Sequence, residues 1–129
     1  MIALFLSLAF SLGAYLRDET VTGYLPADGP WVLQDIDGTK AGAPVSLSFA
    51  PGRVMVEGPC LRLRARQTAP YPWFEVTGID TSANACPLSP EESRLVAYFS
   101  KVNVAEVSGP ILILSEAGGA EMLFRLSQP

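Results

Sequence analysis

Residues 45–66 of this 129-residue chain read VSLSFAPGRVMVEGPCLRLRAR, and apolar and polar side chains alternate through most of the stretch. Alternation with a period of two is typical of β-strands that bury one face. Pro51 and Gly52 separate the first two alternating runs with a turn signal, so residues 45–56 predict a β-hairpin. After Cys60, arginines alternate with apolar residues, which predicts a third strand with one buried and one cationic face.

The segments beyond this region also favour strands. Residues 73–77 are aromatic and β-branched and form a further strand candidate. Near the C-terminus, three apolar segments separated by turn residues predict an antiparallel meander. These segments are residues 104–107, 111–114 and 122–126.

One helix is predicted, over residues 90–102. Ser89 is a helix-capping residue, Pro90 suits the first helical position, and Glu92 follows the serine by three residues, which is the signature of a capping box. The apolar side chains that follow recur at helical spacing; they are Leu95, Val96, Phe99 and Val102. The predicted fold class is therefore α+β: a mostly antiparallel, curved β-sheet or partial barrel with one α-helix packed on it.

The domain is preceded by two short segments. Residues 1–16 contain an apolar run shorter than the roughly 20 residues of a membrane-spanning helix, which predicts a signal peptide or, alternatively, an uncleaved N-terminal anchor. Residues 17–30 are polar and turn-rich and are expected to form a linker. The folded domain is expected to cover residues 31–126. We therefore expect a periplasmic or secreted protein, with anchoring to the inner membrane as the alternative.

Charge and composition narrow the function classes. The formal net charge of −4 disfavours nucleic acid as a partner, because phosphate backbones need a basic surface. The chain has no histidine, which excludes a histidine general base, a Ser-His-Asp triad and histidine metal sites. Asp35 and Asp37 resemble the start of a calcium loop that lacks its other ligands, so Asp37 and Gly38 predict a tight turn. We expect no enzymatic activity, no cofactor and no metal.

The only two cysteines, Cys60 and Cys86, are expected to form a structural disulfide in an oxidising compartment. Closing a loop of about 26 residues stabilises a fold by roughly 3–4 kcal/mol in the chain-entropy model. Two reduced buried thiols, or a redox or nucleophilic pair, are the alternatives, although neither a C-x-x-C motif nor a histidine is present to lower a thiol pKa. A regular strand would place Cys60 on the arginine face, so the bridge is expected to need an irregular strand start.

Three arginines on one strand face form the first part of a candidate binding surface. Arg62, Arg64 and Arg66 are here called the arginine row. The row is interpreted either as a solvated face paired with nearby carboxylates or as a site for an anion or an acidic partner.

The second part of the surface is the Pro-flanked segment of residues 69–74, here called the aromatic loop. It contains Tyr71, Trp73 and Phe74. Rings in such a segment either plug the core or contact a ligand or partner protein, since rigid aromatic side chains are favoured anchors at interfaces.

Six short blocks occur in a recognisable order along the chain. They are Trp31-Val32-Leu33, Leu47-Ser48-Phe49, Gly58-Pro59-Cys60, Thr81 through Ala85-Cys86, Leu112-Ile113-Leu114 and Phe124-Arg125. Their order and spacing resemble the META domain, also called HslJ-like, over residues 31–126. The resemblance implies a small bacterial envelope or secreted domain, linked in relatives to heat-shock and drug-resistance phenotypes, without an established catalytic activity. The family pattern usually has Asn after the first cysteine, where this chain has Leu61.

These observations predict a non-enzymatic, exported META-type domain that acts as a monomeric, envelope-associated binding or stress-related module. Its partner is expected to be an envelope protein or an anionic ligand, with membrane contact only through an uncleaved N-terminal segment. The alternative is a protease-inhibitor-like domain that inserts the aromatic loop into an enzyme cleft.

Overall fold

The computed structural model describes residues 18–83 and 86–127. Within these ranges the chain forms nine β-strands, one α-helix and a short 3-10 helix at Val21–Tyr24. The strands are β1 (Trp31–Ile36), β2 (Thr39–Lys40), β3 (Ser46–Ala50), β4 (Arg53–Glu57), β5 (Leu61–Gln67), β6 (Val76–Ala83), β7 (Val104–Ser108), β8 (Ile111–Ser115) and β9 (Glu121–Leu126). Helix α1 (Pro90–Phe99) lies between β6 and β7. The predicted signal peptide or anchor, residues 1–16, lies outside the described residues.

The strands form one curved antiparallel sheet in the order β6-β5-β4-β3-β1-β9-β8-β7, with β2 paired to β1 beside this path. β1 lies between β3 and β9 and so joins two meanders, β3 to β6 and β7 to β9. The ends of the sheet meet where the segment before β6 contacts the start of β7. There the Phe74 amide donates to the Asn103 carbonyl (2.9 Å) and the Ala105 amide donates to the Pro72 carbonyl (2.7 Å). The sheet is therefore a partial barrel, and the predicted α+β class is confirmed.

The alternating stretch folds as the pattern predicts. β3 and β4 form an antiparallel hairpin, and its turn contains Gly52 at a φ of 71°, a conformation that glycine adopts without steric cost. In β5 the apolar positions are buried and the arginines between them are exposed. Cys60 lies in the loop before β5, so it does not share the arginine face; the Gly58 amide donates to the Leu61 carbonyl across that loop (2.9 Å).

The strand predicted at residues 73–77 was misplaced. β6 begins at Val76, and Trp73 makes only an isolated bridge to Val104. Pro72 has no N–H for a sheet hydrogen bond, and the residues around it pair with β7 instead of continuing β6. The segment therefore closes the barrel. Its strand-like composition does not indicate which strand it will contact.

Helix α1 begins with the predicted capping box. The Glu92 amide donates to Ser89 Oγ (3.2 Å), and Glu92 Oε1 accepts from the Ser89 amide (2.8 Å). The helix ends at Phe99 and not at residue 102, although Val102 is buried. The amide of Asn103 donates to the Ser115 carbonyl (2.9 Å), so the chain must leave the helix before this point to join β8.

The packed structure begins ahead of Trp31. Val21, within residues 17–30 that the sequence analysis assigned to a linker, is fully buried. The Phe49 amide donates to the Asp28 carbonyl (2.9 Å), and Trp31 Nε1 donates to the Ala27 carbonyl (3.0 Å). These residues therefore pack against β1 and β3.

One apolar cluster fills the interior of the barrel, and its buried side chains come from α1, from every long strand except β6, and from the adjoining loops. Its largest fully buried apolar side chains are Trp31, Phe74, Phe99, Phe124, Leu47, Leu61, Leu63, Leu95, Leu112, Leu114 and Met122. No helix within the described ranges is long and apolar enough to cross a membrane.

Candidate functional site

The arginine row lies on the outer face of β5. Arg62, Arg64 and Arg66 all point to solvent because the residues between them fill the barrel interior. The structure therefore brings the three predicted arginines together on one exposed surface.

A fourth arginine joins this surface from the neighbouring strand. Arg53, the first residue of β4, lies directly opposite Arg66 in the antiparallel register. Like charges directly opposite each other on adjacent strands destabilise a sheet. This register therefore places two positively charged residues at opposite positions of β4 and β5, an arrangement that opposes folding.

Carboxylates lie near the row without forming ion pairs with it. Glu57 is the cross-strand partner of Arg62, and Asp80 is the cross-strand partner of Arg64. Even so, across residues 18–83 and 86–127 no carboxylate oxygen lies within 4.0 Å of a guanidinium nitrogen of these four arginines; the ion pair found there joins Arg94 and Asp37 at 3.8 Å. Within the part of the chain that the structure describes, these four guanidinium groups are therefore not held in ion pairs.

Part of this surface forms an open cleft of about 240 Å³, here called the arginine cleft. It is lined by Arg53, Arg64, Ala65, Arg66, Gly78 and Asp80. The pairing of β5 with β6 shifts register between Arg64 and Arg66, and Gly78 adopts a φ of 59° at this bulge. A Cβ at Gly78 would lie 3.0 Å from Arg66 Nη2, so the absence of a side chain lets the guanidinium lie against the backbone of β6.

The structure separates the aromatic loop residues by environment. Phe74 is 1% exposed and its ring packs edge-on against Phe99, with ring centroids 5.9 Å apart. Tyr71 is half-buried, stacks on Tyr24 at 4.5 Å, and its hydroxyl accepts a hydrogen bond from the Val107 amide (3.0 Å). Trp73 is 58% exposed. Trp73 is thus the one member of the three that presents most of its ring to solvent.

The backbone of the aromatic loop is held against the barrel at several points. The Tyr71 amide donates to the Glu19 carbonyl (2.7 Å), and the Ala69 amide donates to Gln67 Oε1 (2.9 Å). Gln67 is itself buried, and the same oxygen accepts from the Glu75 amide (3.1 Å). Together with the hydrogen bonds to Asn103, just before β7, and to Ala105 in β7, these contacts fix the loop to the domain along its length.

Cys60 and Cys86 form the predicted disulfide, with their Cα atoms 5.4 Å apart. The bridge joins the β4–β5 loop to the segment just before α1. Glu92 makes a second link at this junction: its carboxylate is fully buried, and Oε2 accepts from the Cys60 amide at 2.8 Å. A Cβ at Gly58 would overlap Glu92 Oε2, so only glycine fits beneath this carboxylate.

The pKa of Glu92 is lowered from its ordinary value. Burial acts to raise the pKa, but the amides of Ser89 and Cys60 and the Ser89 side chain stabilise the ionised form and together outweigh that effect. Glu92 is therefore an ionised structural group that joins the helix to the β4–β5 loop.

Asp37 and Gly38 form the predicted tight turn, with φ values of 52° and 79°, as in a type I′ hairpin loop. The Asp37 carboxylate accepts from the Tyr98 hydroxyl (2.6 Å) and from the Glu121 amide (2.8 Å). The hydrogen bond from Tyr98 and then that from Glu121 lower the pKa of Asp37. Over the part of the chain that the structure describes, no group of three or more potential metal-ligating side chains occurs.

The sequence analysis missed Arg53 and Gly78. The two-residue loop at Pro59 and Cys60 fixes the register between β4 and β5, and this register places Arg53 opposite Arg66. The length of that loop could therefore have predicted that Arg53 lies beside the arginine row. The bulge at Gly78 depends on how β6 pairs with β5, and no local pattern indicates it.

Comparison with known proteins gives the family and the fold. The family model described as the META domain matches residues 24–129. A protein from Burkholderia xenovorans, solved by NMR, superposes with a TM-score of 0.61 at 19% identity, covering 84% of this chain and 88% of that one. A DUF4847 family protein from Bacteroides vulgatus superposes with a TM-score of 0.58 at 10% identity, covering 80% of this chain and 95% of that one. Both likenesses concern the fold alone. No curated protein matches the chain.

Proposed function

Because the chain belongs to the META domain family, we propose that it is a non-enzymatic, exported binding module of the cell envelope. Its contact surface is the exposed face of β4 to β6 around the arginine row, and its partner is an anionic ligand or an envelope protein with an acidic surface. The observation that carries this proposal is the group of four exposed arginines without an ion pair in the described residues.

Energetics support a binding role for these arginines. On this face Arg62 and Arg64 each have a carboxylate as a cross-strand partner, whereas Arg53 and Arg66 lie directly opposite each other. The protein as a whole has a net charge of −4, so this positive surface stands out against the charge of the chain. An anionic partner would relieve the repulsion and gain charge-assisted hydrogen bonds.

Export and the lack of catalysis are supported by the chemistry of the other polar groups. Disulfides persist in oxidising compartments such as the periplasm, and Cys60 and Cys86 are bridged. The chain contains no histidine, and its buried carboxylate, Glu92, is occupied by the amides of Ser89 and Cys60. None of these groups is arranged as a general acid, a base or a nucleophile.

Charge reversal tests the proposed surface. A variant with Arg62→Glu, Arg64→Glu and Arg66→Glu is compared with a control that makes the same change in net charge at other exposed positions, namely Lys40→Glu, Lys101→Glu and Arg125→Glu. Each tagged protein is expressed in its native host, cross-linked in the envelope, and its captured partners are quantified by mass spectrometry. Thermal unfolding of both variants establishes that the fold is retained.

The surface variant is expected to lose partner capture while the control retains it. Equal capture by the surface variant and the wild type would exclude the arginine row as the contact surface. An equal loss in both variants would show that net charge alone governs capture, and would also contradict the proposal. We do not propose the protease-inhibitor alternative, because the amides of Tyr71, Trp73 and Phe74 already donate hydrogen bonds within the domain and are not free to pair with the backbone of an enzyme cleft.

A further inference from the structure

We infer that the arginine cleft binds a phosphate group. This inference rests on the proposed function of the arginine row and narrows its ligand to one chemistry. The residues that carry it are Arg53, Arg64 and Arg66, with Gly78 allowing the close approach of Arg66 to β6.

The cleft brings arginines from two strands to one opening. Arg53 and Arg66 are cross-strand partners, and Arg64 lies two residues from Arg66 on the same face of β5. A guanidinium group presents its N–H donors in a planar fork that matches the oxygens of a phosphate group. Several such forks around one opening can donate to different oxygens of the same phosphate.

The charge of the cleft matches that of a phosphate monoester. Three guanidinium groups and the carboxylate of Asp80 line it, which leaves two positive charges in excess. A phosphate monoester carries about −1.5 to −2 charges at pH 7. A bound phosphate would therefore neutralise the cleft and remove the repulsion between Arg53 and Arg66.

Arg62 provides a matched control within the same row. It is exposed on the same face of β5, but it does not line the cleft, and its cross-strand partner on β4 is Glu57. A site formed by the cleft depends on Arg53 and Arg66 and not on Arg62. A diffuse electrostatic effect depends on all of these arginines alike.

The test is a titration of the full protein and of the variants Arg53→Gln, Arg66→Gln and Arg62→Gln. Inorganic phosphate is added at constant ionic strength, balanced with sodium chloride, and binding is followed by NMR chemical shifts of the β5 and β6 amides. In a second arm, co-sedimentation is measured with vesicles of phosphatidylcholine alone and with vesicles that also contain phosphatidic acid. The first arm reports a free phosphate and the second a lipid headgroup.

We expect Arg53→Gln and Arg66→Gln each to weaken binding about tenfold or more, since a hydrogen bond to a charged group is lost. Arg62→Gln should change it by less than about twofold, in keeping with a charge outside the cleft. Binding of inorganic phosphate would identify a soluble ligand, and cleft-dependent binding of phosphatidic acid vesicles without it would identify a headgroup. Either pattern supports phosphate recognition.

The inference is overturned if neither probe binds, or if Arg62→Gln weakens binding as much as Arg66→Gln. Its failure is distinguishable from that of the proposed function. If phosphate does not bind but charge reversal of the arginine row still abolishes partner capture, the row remains the contact surface and only its assignment to phosphate is wrong. If capture is also unaffected, both fail.

Discussion

Replacing Glu92 by glutamine tests the junction between helix α1 and the β4–β5 loop. The carboxylate is fully buried, with Oε1 accepting from the Ser89 amide and Oε2 from the Cys60 amide, each at 2.8 Å. Glutamine has nearly the same size but only one acceptor oxygen. Its NH₂ group would therefore face one of the two amide donors, and that donor would lose its partner.

The expected magnitude follows from these two hydrogen bonds. A hydrogen bond to a charged group contributes about 1.5–3 kcal/mol, and a buried donor without an acceptor costs about 1–3 kcal/mol. Because these contributions overlap, we expect Glu92→Gln to lower the free energy of unfolding by about 3 kcal/mol at pH 7. For a domain of this size that corresponds to a decrease in Tm of roughly 10–15 °C.

The effect of Glu92→Gln should depend on pH in a defined direction. The pKa of Glu92 in the folded protein lies below its ordinary value of 4.5. A group with a lowered folded pKa stabilises the fold above the unfolded pKa, and this contribution is lost as the pH falls through the folded pKa. The stability gap between wild type and variant should therefore be constant well above pH 4.5 and shrink below it.

The assay is urea unfolding followed by tryptophan fluorescence, to which the buried Trp31 and the exposed Trp73 both contribute, at neutral and at acidic pH. Glu91→Gln is the matched control, because Glu91 is only half-buried and accepts one longer hydrogen bond, from the Gly42 amide at 3.2 Å. The reasoning is refuted if Glu92→Gln costs less than about 1 kcal/mol, if it costs no more than Glu91→Gln, or if the gap widens in acid.

Three other predictions concern the core, the disulfide and the Asp37 turn. Phe74→Ala should lower the free energy of unfolding by about 3–5 kcal/mol. Trp73→Ala should change it by less than about 1 kcal/mol, because the Trp73 side chain is 58% exposed. Equal losses of unfolding free energy in chemical denaturation would contradict the placement of the two rings. Replacing both Cys60 and Cys86 by alanine should lower the free energy of unfolding by about 3–4 kcal/mol. The reduced wild type should then unfold at the same urea concentration as this variant. If the variant and the oxidised wild type had the same urea midpoint, the disulfide would not be stabilising. The carboxylate of Asp37 stabilises the fold at pH values above its ordinary pKa of 3.8, and this contribution is lost as the pH falls. The Tm of wild type should therefore exceed that of Asp37→Asn by less in acid than at neutral pH. A Tm difference that stays constant down to low pH would count against this role.

Features that depend on neighbouring residues could be predicted from the sequence. The β3–β4 hairpin follows from alternation on both sides of Pro51 and Gly52, and the start of α1 follows from its capping box. The Asp37 turn follows from the Asp-Gly pair. In each case the hydrogen bonds or backbone angles involve residues close along the chain, so short sequence patterns contain the required information.

Features that depend on barrel closure could not be predicted in this way. Residues 73–77 have strand-like composition, yet the part around Pro72 bonds to β7 and leaves β6 to begin at Val76. Closure also separates two adjacent aromatic residues, since Phe74 enters the core and Trp73 faces solvent. Local propensity does not specify which distant strand a segment will meet.

The sequence by itself determined the α+β class, the single helix and the common face of Arg62, Arg64 and Arg66, because side chains two apart on a strand point the same way. The tertiary structure alone decided that Arg53 and Gly78 complete a cleft with two of these arginines and that Glu92 is buried against Cys60. Strand register, the β6 bulge and the docking of α1 bring these residues together. Those arrangements arise from packing between segments far apart in the chain, so they are settled only when the whole barrel forms.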